Sequence, residues 1–148
     1  MDAEPRPTFF THGNRWVRAD FHLHTRADKE FVYTGEPNAF VSAYVARMAT
    51  EDIRIGVVTN HNKFDAEEFR VLRKAARKQD VFLLPGVELS VNDGANGVHA
   101  LVAFEPDRWL EPQKDWINEF LNAAFHDTGV ANREHENARC DWNLKQML

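Results

Sequence analysis

The stretch Asp20-Phe21-His22-Leu23-His24-Thr25 places two histidines one residue apart, in a short run that alternates with apolar residues. Successive side chains of an extended strand point to opposite faces, so His22 and His24 share one face. Two imidazoles on one face can bind one metal ion. A single His-x-His pair is equally consistent with a strand end exposed to solvent, so a metal site requires further ligands from elsewhere in the chain.

The composition is typical of one folded domain. Of the 148 residues, 43% are apolar and 28% are charged, which excludes a disordered chain. The length is short for a closed barrel of eight strand-helix units. The net charge of -5 argues against a surface devoted as a whole to nucleic acid, although a local basic strip remains open.

Cellular location is indicated by three features. Cys140 is the single cysteine, so no intrachain disulfide is expected and a reducing compartment is favoured. No secretory signal follows Met1, and no run approaches the roughly 20 apolar residues of a membrane span. A cytoplasmic protein is therefore expected.

The spacing of apolar residues predicts alternating strands and helices. The predicted elements are a strand from about Trp16 to His24, a helix from Asn38 to about Thr50, a strand over 53–59, a helix capped by Asp65, strands over 81–88 and 98–104, and a helix over 112–125. Residues 1–15 are predicted to be an N-terminal arm and 126–148 a polar tail with a short helix at its end. This order implies βα units, a largely parallel sheet and an α/β domain over 16–125.

The helix after Asp65 carries a basic outer face. Its members are Arg70, Arg73, Lys74, Arg77 and Lys78. The pattern favours a solvated helix face, with a phosphate-binding strip as the alternative.

Candidate ligands follow several of the predicted strands. Functional residues gather at the carboxyl ends of strands in parallel α/β folds, and His22, His24, His61 and Glu88 all end strands in this prediction. His99 lies near the start of the fourth predicted strand and could join them. Imidazole with carboxylate suits zinc, manganese or iron, so the sequence predicts a metal site.

The ordered motifs resemble the PHP domain, the polymerase and histidinol phosphatase family. They are Asp20-x-His22-x-His24-Thr25, Thr59-Asn60-His61-Asn62, Gly86-Val87-Glu88 and His99 before Ala100-Leu101-Val102. The match covers about residues 16 to 105. It is most similar to PHP domains at the amino terminus of long bacterial proteins that continue into an ATPase of the SMC or AAA kind.

The resemblance implies a distorted (β/α)7 TIM-like barrel that hydrolyses phosphoesters with up to three divalent metal ions. It assigns His22, His24, His61, Glu88 and His99 as metal ligands, and the first four as catalytic through the metals they hold. The family also has an acidic residue or histidine a few residues after the first motif, for which Asp28 and Glu30 are both candidates. The expected substrate is a phosphomonoester or a nucleic-acid phosphodiester, in DNA processing or phage defence.

Two departures from the family pattern leave an alternative open. Asn60 and Asn62 stand where the second motif usually has aspartates, which lowers the negative charge near the metals. The later ligands of the family, including a closing Asp-x-His, have no match after His99, so we expect a partial barrel. A non-catalytic module that binds a partner, or a barrel completed by another chain or an ATPase, is the alternative. An amidohydrolase is a weaker one, since Lys74 and Lys78 lie on a predicted helix rather than a strand.

Overall fold

One four-stranded sheet carries the candidate residues. The computed structural model describes residues 7–11, 13, 15–94, 97–112, 114–129, 131, 133–135 and 137–147. The strands of the sheet are β1 (Arg18–Leu23), β2 (Ile53–His61), β3 (Phe82–Val91) and β4 (Val98–Ala103). Their order is β1-β2-β3-β4, with β1, β2 and β3 parallel and β4 antiparallel to β3. The chain is therefore an α/β structure with a mostly parallel sheet.

Within the described part of the chain, five helices and a small hairpin accompany this sheet. The helices are α1 (Phe40–Thr50), α2 (Ala66–Arg77), α3 (Pro106–Trp109), α4 (Trp116–Ala124) and α5 (Leu144–Met147), with 3-10 turns at Thr8–Thr11 and Pro37–Ala39. The hairpin pairs β5 (Leu110–Glu111) with β6 (Lys114–Asp115). None of the described helices combines the length and the apolarity that a bilayer crossing requires.

The start of α2 follows its sequence signals. Asp65 caps the helix by accepting a hydrogen bond from the Glu68 backbone N–H at 2.9 Å, and the Phe64 and Phe69 rings pack with centroids 5.5 Å apart. The Glu68 carboxylate turns to the loop after β1, where it accepts from the Ala27 N–H and from Arg26 Nε. Helix α2 therefore helps to hold the loop that leads away from the two histidines.

The fourth strand departs from the parallel direction of the first three. Only residues 92–97 connect β3 to β4, whereas a parallel connection needs a crossover of a dozen or more residues. The short connection produces a hairpin, with Glu88 opposite Leu101 and Ser90 opposite His99. Within the described residues the main sheet has four strands with open edges at β1 and β4, so a closed (β/α)7 barrel is not seen.

The helix predicted over 112–125 begins four residues later. Asp115 caps α4 by accepting from the Asn118 N–H at 3.0 Å, and the residues before it form the β5–β6 hairpin. Ile117, Leu121 and Ala124 face the core as the periodicity indicates. The apolar periodicity therefore predicted the buried face of this helix correctly, but the predicted first residue was wrong.

The segment after residue 125 packs against the sheet. The Cys140 N–H donates to the Ser90 carbonyl at 2.7 Å, and the Asp141 N–H donates to the Ala124 carbonyl at the same distance. The Cys140 side chain is buried in the core, and the Trp142 ring contacts Phe120. Of the predicted N-terminal arm, residues 1–6, 12 and 14 lie outside the described residues, and Thr8 is bonded to Asp80.

One hydrophobic core joins these elements. It lies between the sheet and the helices, and its fully buried large side chains include Phe40, Phe69, Leu72, Leu83, Leu89, Ile117, Leu121 and Phe125. Gly86 in β3 allows a close approach there, because a Cβ at this position would lie 2.7 Å from the Val102 carbonyl oxygen. This packing fixes the strand ends on which the candidate ligands lie.

Candidate metal centre

Glu88 lies at the centre of four histidines. Its Oε2 atom is 2.7 Å from His22 Nε2, 3.1 Å from His61 Nε2 and 3.3 Å from His24 Nε2. Its Oε1 atom is 2.5 Å from His99 Nδ1. The structure thus brings together side chains from β1, from the residue after it, and from β2, β3 and β4.

Strand register explains how these residues meet. His61 and Glu88 are direct partners in the parallel β2–β3 ladder, so their side chains share a face. His99 is paired with Ser90, which is two residues from Glu88 and on the same face. The antiparallel direction of β4 brings its first residues to the carboxyl end of β3. If β4 were parallel to β3, His99 would lie near the amino end of β3, away from Glu88.

Asp28 contacts two of these histidines at the ring nitrogen that faces away from Glu88. Its Oδ2 atom is 2.8 Å from His24 Nδ1 and 3.1 Å from His61 Nδ1, and it accepts from the His61 backbone N–H at 2.6 Å. The Asp28 side chain is fully buried. It therefore fixes both rings so that their Nε2 atoms face Glu88, which is the arrangement of a carboxylate that orients a metal-ligating histidine.

This cluster contains more hydrogen-bond acceptor atoms than its protons can satisfy. A neutral His24 or His61 that donates from Nδ1 to Asp28 presents only a lone pair at Nε2. Those two lone pairs and Glu88 Oε2 then face one another, with His22 Nε2 3.0 Å from His24 Nε2. His22 can supply one proton to this group. A bound cation would satisfy all four atoms, so the donor set fits a divalent metal ion.

Three overlapping groups could each hold an ion. They are His22–His24–Glu88, His24–Asp28–His61 and His61–Glu88–His99, and within each group the ligand atoms lie within 4.8 Å of one another. Each pair of groups shares one residue. Three imidazole nitrogens and a carboxylate oxygen are a ligand set used for zinc, and iron and manganese accept similar donors. The residues can thus hold a metal ion, and their chemistry names no single metal.

The two carboxylates are kept ionised by their hydrogen bonds. Burial raises the pKa of Asp28, but hydrogen bonds from the Glu30 and His61 N–H groups and from His24 outweigh it and lower the pKa to about 2. Burial also opposes ionisation of Glu88, whose pKa is nevertheless lowered by the hydrogen bond from His22, the charge of His61 and the hydrogen bond from His99. Both groups are therefore anionic at neutral pH.

Asp28 and Glu30, which the sequence left as alternatives, have different surroundings. Glu30 is exposed, and its backbone N–H donates to Asp28 Oδ1 at 2.9 Å. Its carboxylate takes part in none of the three groups found among the described residues. The Asp20 carboxylate accepts a hydrogen bond from the His22 backbone N–H at 3.0 Å.

The two asparagines of the second motif hold loops together. Asn60 accepts from the Thr25 N–H and donates to the Thr25 hydroxyl, so it holds the turn after His24. Asn62 accepts from the Ser90 N–H and donates to the Ser90 hydroxyl and the Arg133 carbonyl. Both side chains are buried. Their amide groups therefore serve as hydrogen-bond donors that an ionised aspartate would lack.

Sequence reasoning missed the contribution of residues 133–135. The Arg133 carbonyl binds Asn62, while the Glu134 carboxylate lies 2.9 Å from Lys63 Nζ and its carbonyl accepts from Lys29 Nζ. His135 is exposed and lines a small cavity beside His61 and His99. These contacts join positions more than 70 residues apart in sequence, and no local pattern signals them.

Comparisons with known proteins leave the family unassigned. No protein-family model matches the chain, and no curated protein matches it in sequence.

Proposed function

We propose that this protein is a metal-dependent phosphoesterase of the PHP type. The observation that carries the proposal is the convergence of three Nε2 atoms, from His22, His24 and His61, on one oxygen of Glu88. The motif order described above favours the same class of chemistry. The catalytic residues are taken to be these three histidines and Glu88.

His22, His24, His61, Glu88 and His99 would hold the metal, with Asp28 as a ligand or as the group that orients His24 and His61. Three overlapping groups leave space in the ligand set for up to three divalent ions, with zinc, manganese and iron as candidates. When bound, a divalent ion lowers the pKa of water and neutralises negative charge on phosphate oxygens. Glu30 is left out of the proposed ligand set because its carboxylate belongs to none of the three groups found among the described residues.

The protein's own side chains orient the histidines, supply negative charge and leave the cluster accessible. Asp28 fixes the tautomers of His24 and His61 by accepting their Nδ1 protons. Glu88 is buried beneath the rings and keeps its charge, while the His22 and His99 side chains are 49% and 56% exposed. The cluster is therefore open on one side, which allows a phosphate group to approach from solvent.

The proposed substrate is a phosphomonoester or a nucleic-acid phosphodiester. The longer proteins that the motifs resemble suggest a role in DNA processing or phage defence. A partial (β/α)7 barrel completed by an ATPase or another chain is the corresponding architecture, and the open β1 edge is compatible with it.

The test is metal-dependent hydrolysis of p-nitrophenyl phosphate and bis-p-nitrophenyl phosphate, with metal content measured in parallel. Wild-type protein is expected to bind a divalent metal and to hydrolyse at least one ester. The double variant His22→Ala/His24→Ala is expected to lose both properties, whereas the exposed His126→Ala keeps them. Turnover that survives unchanged in the double variant rejects the assignment.

A non-catalytic module that binds a partner is the second candidate. It is favoured by exposed aromatic side chains at the β1 edge, where Trp16 is 97% and Phe21 57% exposed. Metal counting separates the two functions. Two or three bound ions per chain favour catalysis, and none favours a module that keeps only the scaffold.

A further inference from the structure

The basic face of α2 forms one wall of a cleft of about 500 Å³. The residues that line it are Glu67, Arg70, Arg73, Lys74, Arg77, Leu110 and Pro112. The last two belong to the β5–β6 hairpin, which provides the opposite wall. Four of the five cations that the sequence places on this helix face, all except Lys78, thus lie together on a concave surface, which we name the α2 cleft.

The α2 cleft keeps a positive excess after its ion pairs are counted. Arg70 Nη1 lies 3.2 Å from Glu67, and Arg73 Nη2 lies 3.1 Å from Asp107, which also acts on Arg77. Among the described residues, Glu67 and Asp107 are thus the carboxylates that act on Arg70, Arg73 and Arg77. The carboxylate side chains are 90% and 80% exposed, and ion pairs of this kind contribute little free energy.

The guanidinium groups are positioned by the fold. The Arg73 side chain is only 16% exposed, and its buried Nε atom donates to none of the described acceptors. Because this Nε atom is buried, an oxygen ligand in the cleft would meet the terminal Nη atoms, and arginine forks match phosphate geometry.

The spacing of the cations suits a repeating anion. Arg70 and Arg77 are seven residues apart, which corresponds to roughly 10 Å along a helix axis. One strand of B-form DNA carries a charge about every 3.4 Å of its axis, so four successive phosphates, with three spacings between them, span a similar axial length. The chain as a whole is acidic at -5, so such binding would depend on this cleft rather than on the general surface.

We propose that the α2 cleft binds the phosphodiester backbone of a nucleic acid. This proposal rests on the proposed function in one respect, because it narrows the substrate of that hydrolase from phosphoesters in general to nucleic acid. Binding itself requires no metal and no turnover, so the two can be tested separately.

The experiment measures fluorescence anisotropy of labelled single-stranded and duplex oligonucleotides in EDTA, at several salt concentrations. The test variant is Arg70→Glu/Lys74→Glu. The control is Arg47→Glu/Lys145→Glu, which changes the net charge equally at exposed positions outside the cleft. Circular dichroism melting verifies that both variants are folded, and the single variant Lys74→Gln gives a milder change.

The test variant is expected to weaken binding by about tenfold and to reduce the salt slope by about 1.8, with the control unchanged. A preference for either oligonucleotide supports the proposal and identifies the form bound. Equal losses in both variants, absence of salt-dependent binding by wild type, or equally effective competition by polyglutamate would each overturn it.

A second measurement separates this inference from the proposed function. The His22→Ala/His24→Ala variant is expected to keep oligonucleotide affinity, and Arg70→Glu/Lys74→Glu is expected to keep hydrolysis of bis-p-nitrophenyl phosphate. If wild type binds oligonucleotide through the cleft but hydrolyses no ester, the hydrolase is rejected while the binding site stands. If it hydrolyses the ester but the cleft variants bind normally, the binding site is rejected alone.

Discussion

Asp28 Oδ2 lies 2.8 Å from Nδ1 of His24, so the two nitrogens of this ring face two different carboxylates. One is fully buried and holds the ring, and the other, Glu88, faces the atom that is available to a metal. The same Asp28 oxygen also contacts His61 Nδ1 at 3.1 Å. A single acidic side chain therefore positions ligands delivered by two different strands.

Replacing this acid should weaken metal binding without moving the strands. Asp28→Asn keeps the shape of the side chain but removes the charge that fixes the tautomers of His24 and His61, so zinc affinity is expected to fall about 10- to 100-fold. Competition with a chromophoric chelator measures the change. Glu30→Gln is the matched control and should bind zinc as wild type does. Equal losses in both variants would contradict the assigned role of Asp28.

The metal-free protein should lose an Asp28-dependent part of its stability in acid. Burial raises the pKa of Asp28, but its hydrogen bonds lower it from 3.8 to about 2. A pKa lowered on folding stabilises the folded state above the unfolded pKa, and this contribution disappears as pH falls from about 4 through 2. Urea midpoints in EDTA should therefore differ between wild type and Asp28→Asn near pH 5 and converge towards pH 2.5. A constant difference would contradict this origin.

The two asparagines should respond differently when aspartate is introduced. Asn62→Asp turns a carboxylate oxygen towards the Arg133 carbonyl in place of an N–H donor, and should reduce the free energy of unfolding by about 1–3 kcal/mol. Asn60→Asp should cost less, because the Thr25 hydroxyl can reverse its hydrogen bond and donate. Chemical denaturation at neutral pH measures both. An Asn62→Asp protein as stable as wild type would show that the amide contributes little.

Cys140 should be chemically inert in the folded protein. Burial is the main cause of the raised pKa of its thiol, and thiolate is the reactive form. Iodoacetamide at about pH 8 is expected to label the protein slowly under native conditions and rapidly in guanidinium chloride. Rapid native labelling would show that the segment around residue 140 opens readily from the core.

The local elements were predictable because their signals lie within a few residues. Asp65 and Phe64 mark the start of α2, and the period of Phe69, Leu72 and Ala76 marks its buried face. The strand that ends at His61 follows from its β-branched residues. The predicted start of α4 at Pro112 was wrong because the helix begins only after Asp115, which caps it. The segment after residue 125 has too weak an apolar pattern to predict how it packs.

The sequence by itself indicated that the strands carry His22, His61 and Glu88 and that His24 follows the first strand, although β3 continues past the predicted end at Glu88 to Val91. Only the tertiary structure distinguishes the surroundings of Asp28 from those of Glu30, because the loop after β1 must fold back before the Asp28 carboxylate reaches two rings. It also brings His99 beside Glu88. The direction of β4 depends on a short connection and a ladder with β3, and such pairing between distant residues leaves no periodic trace in the chain.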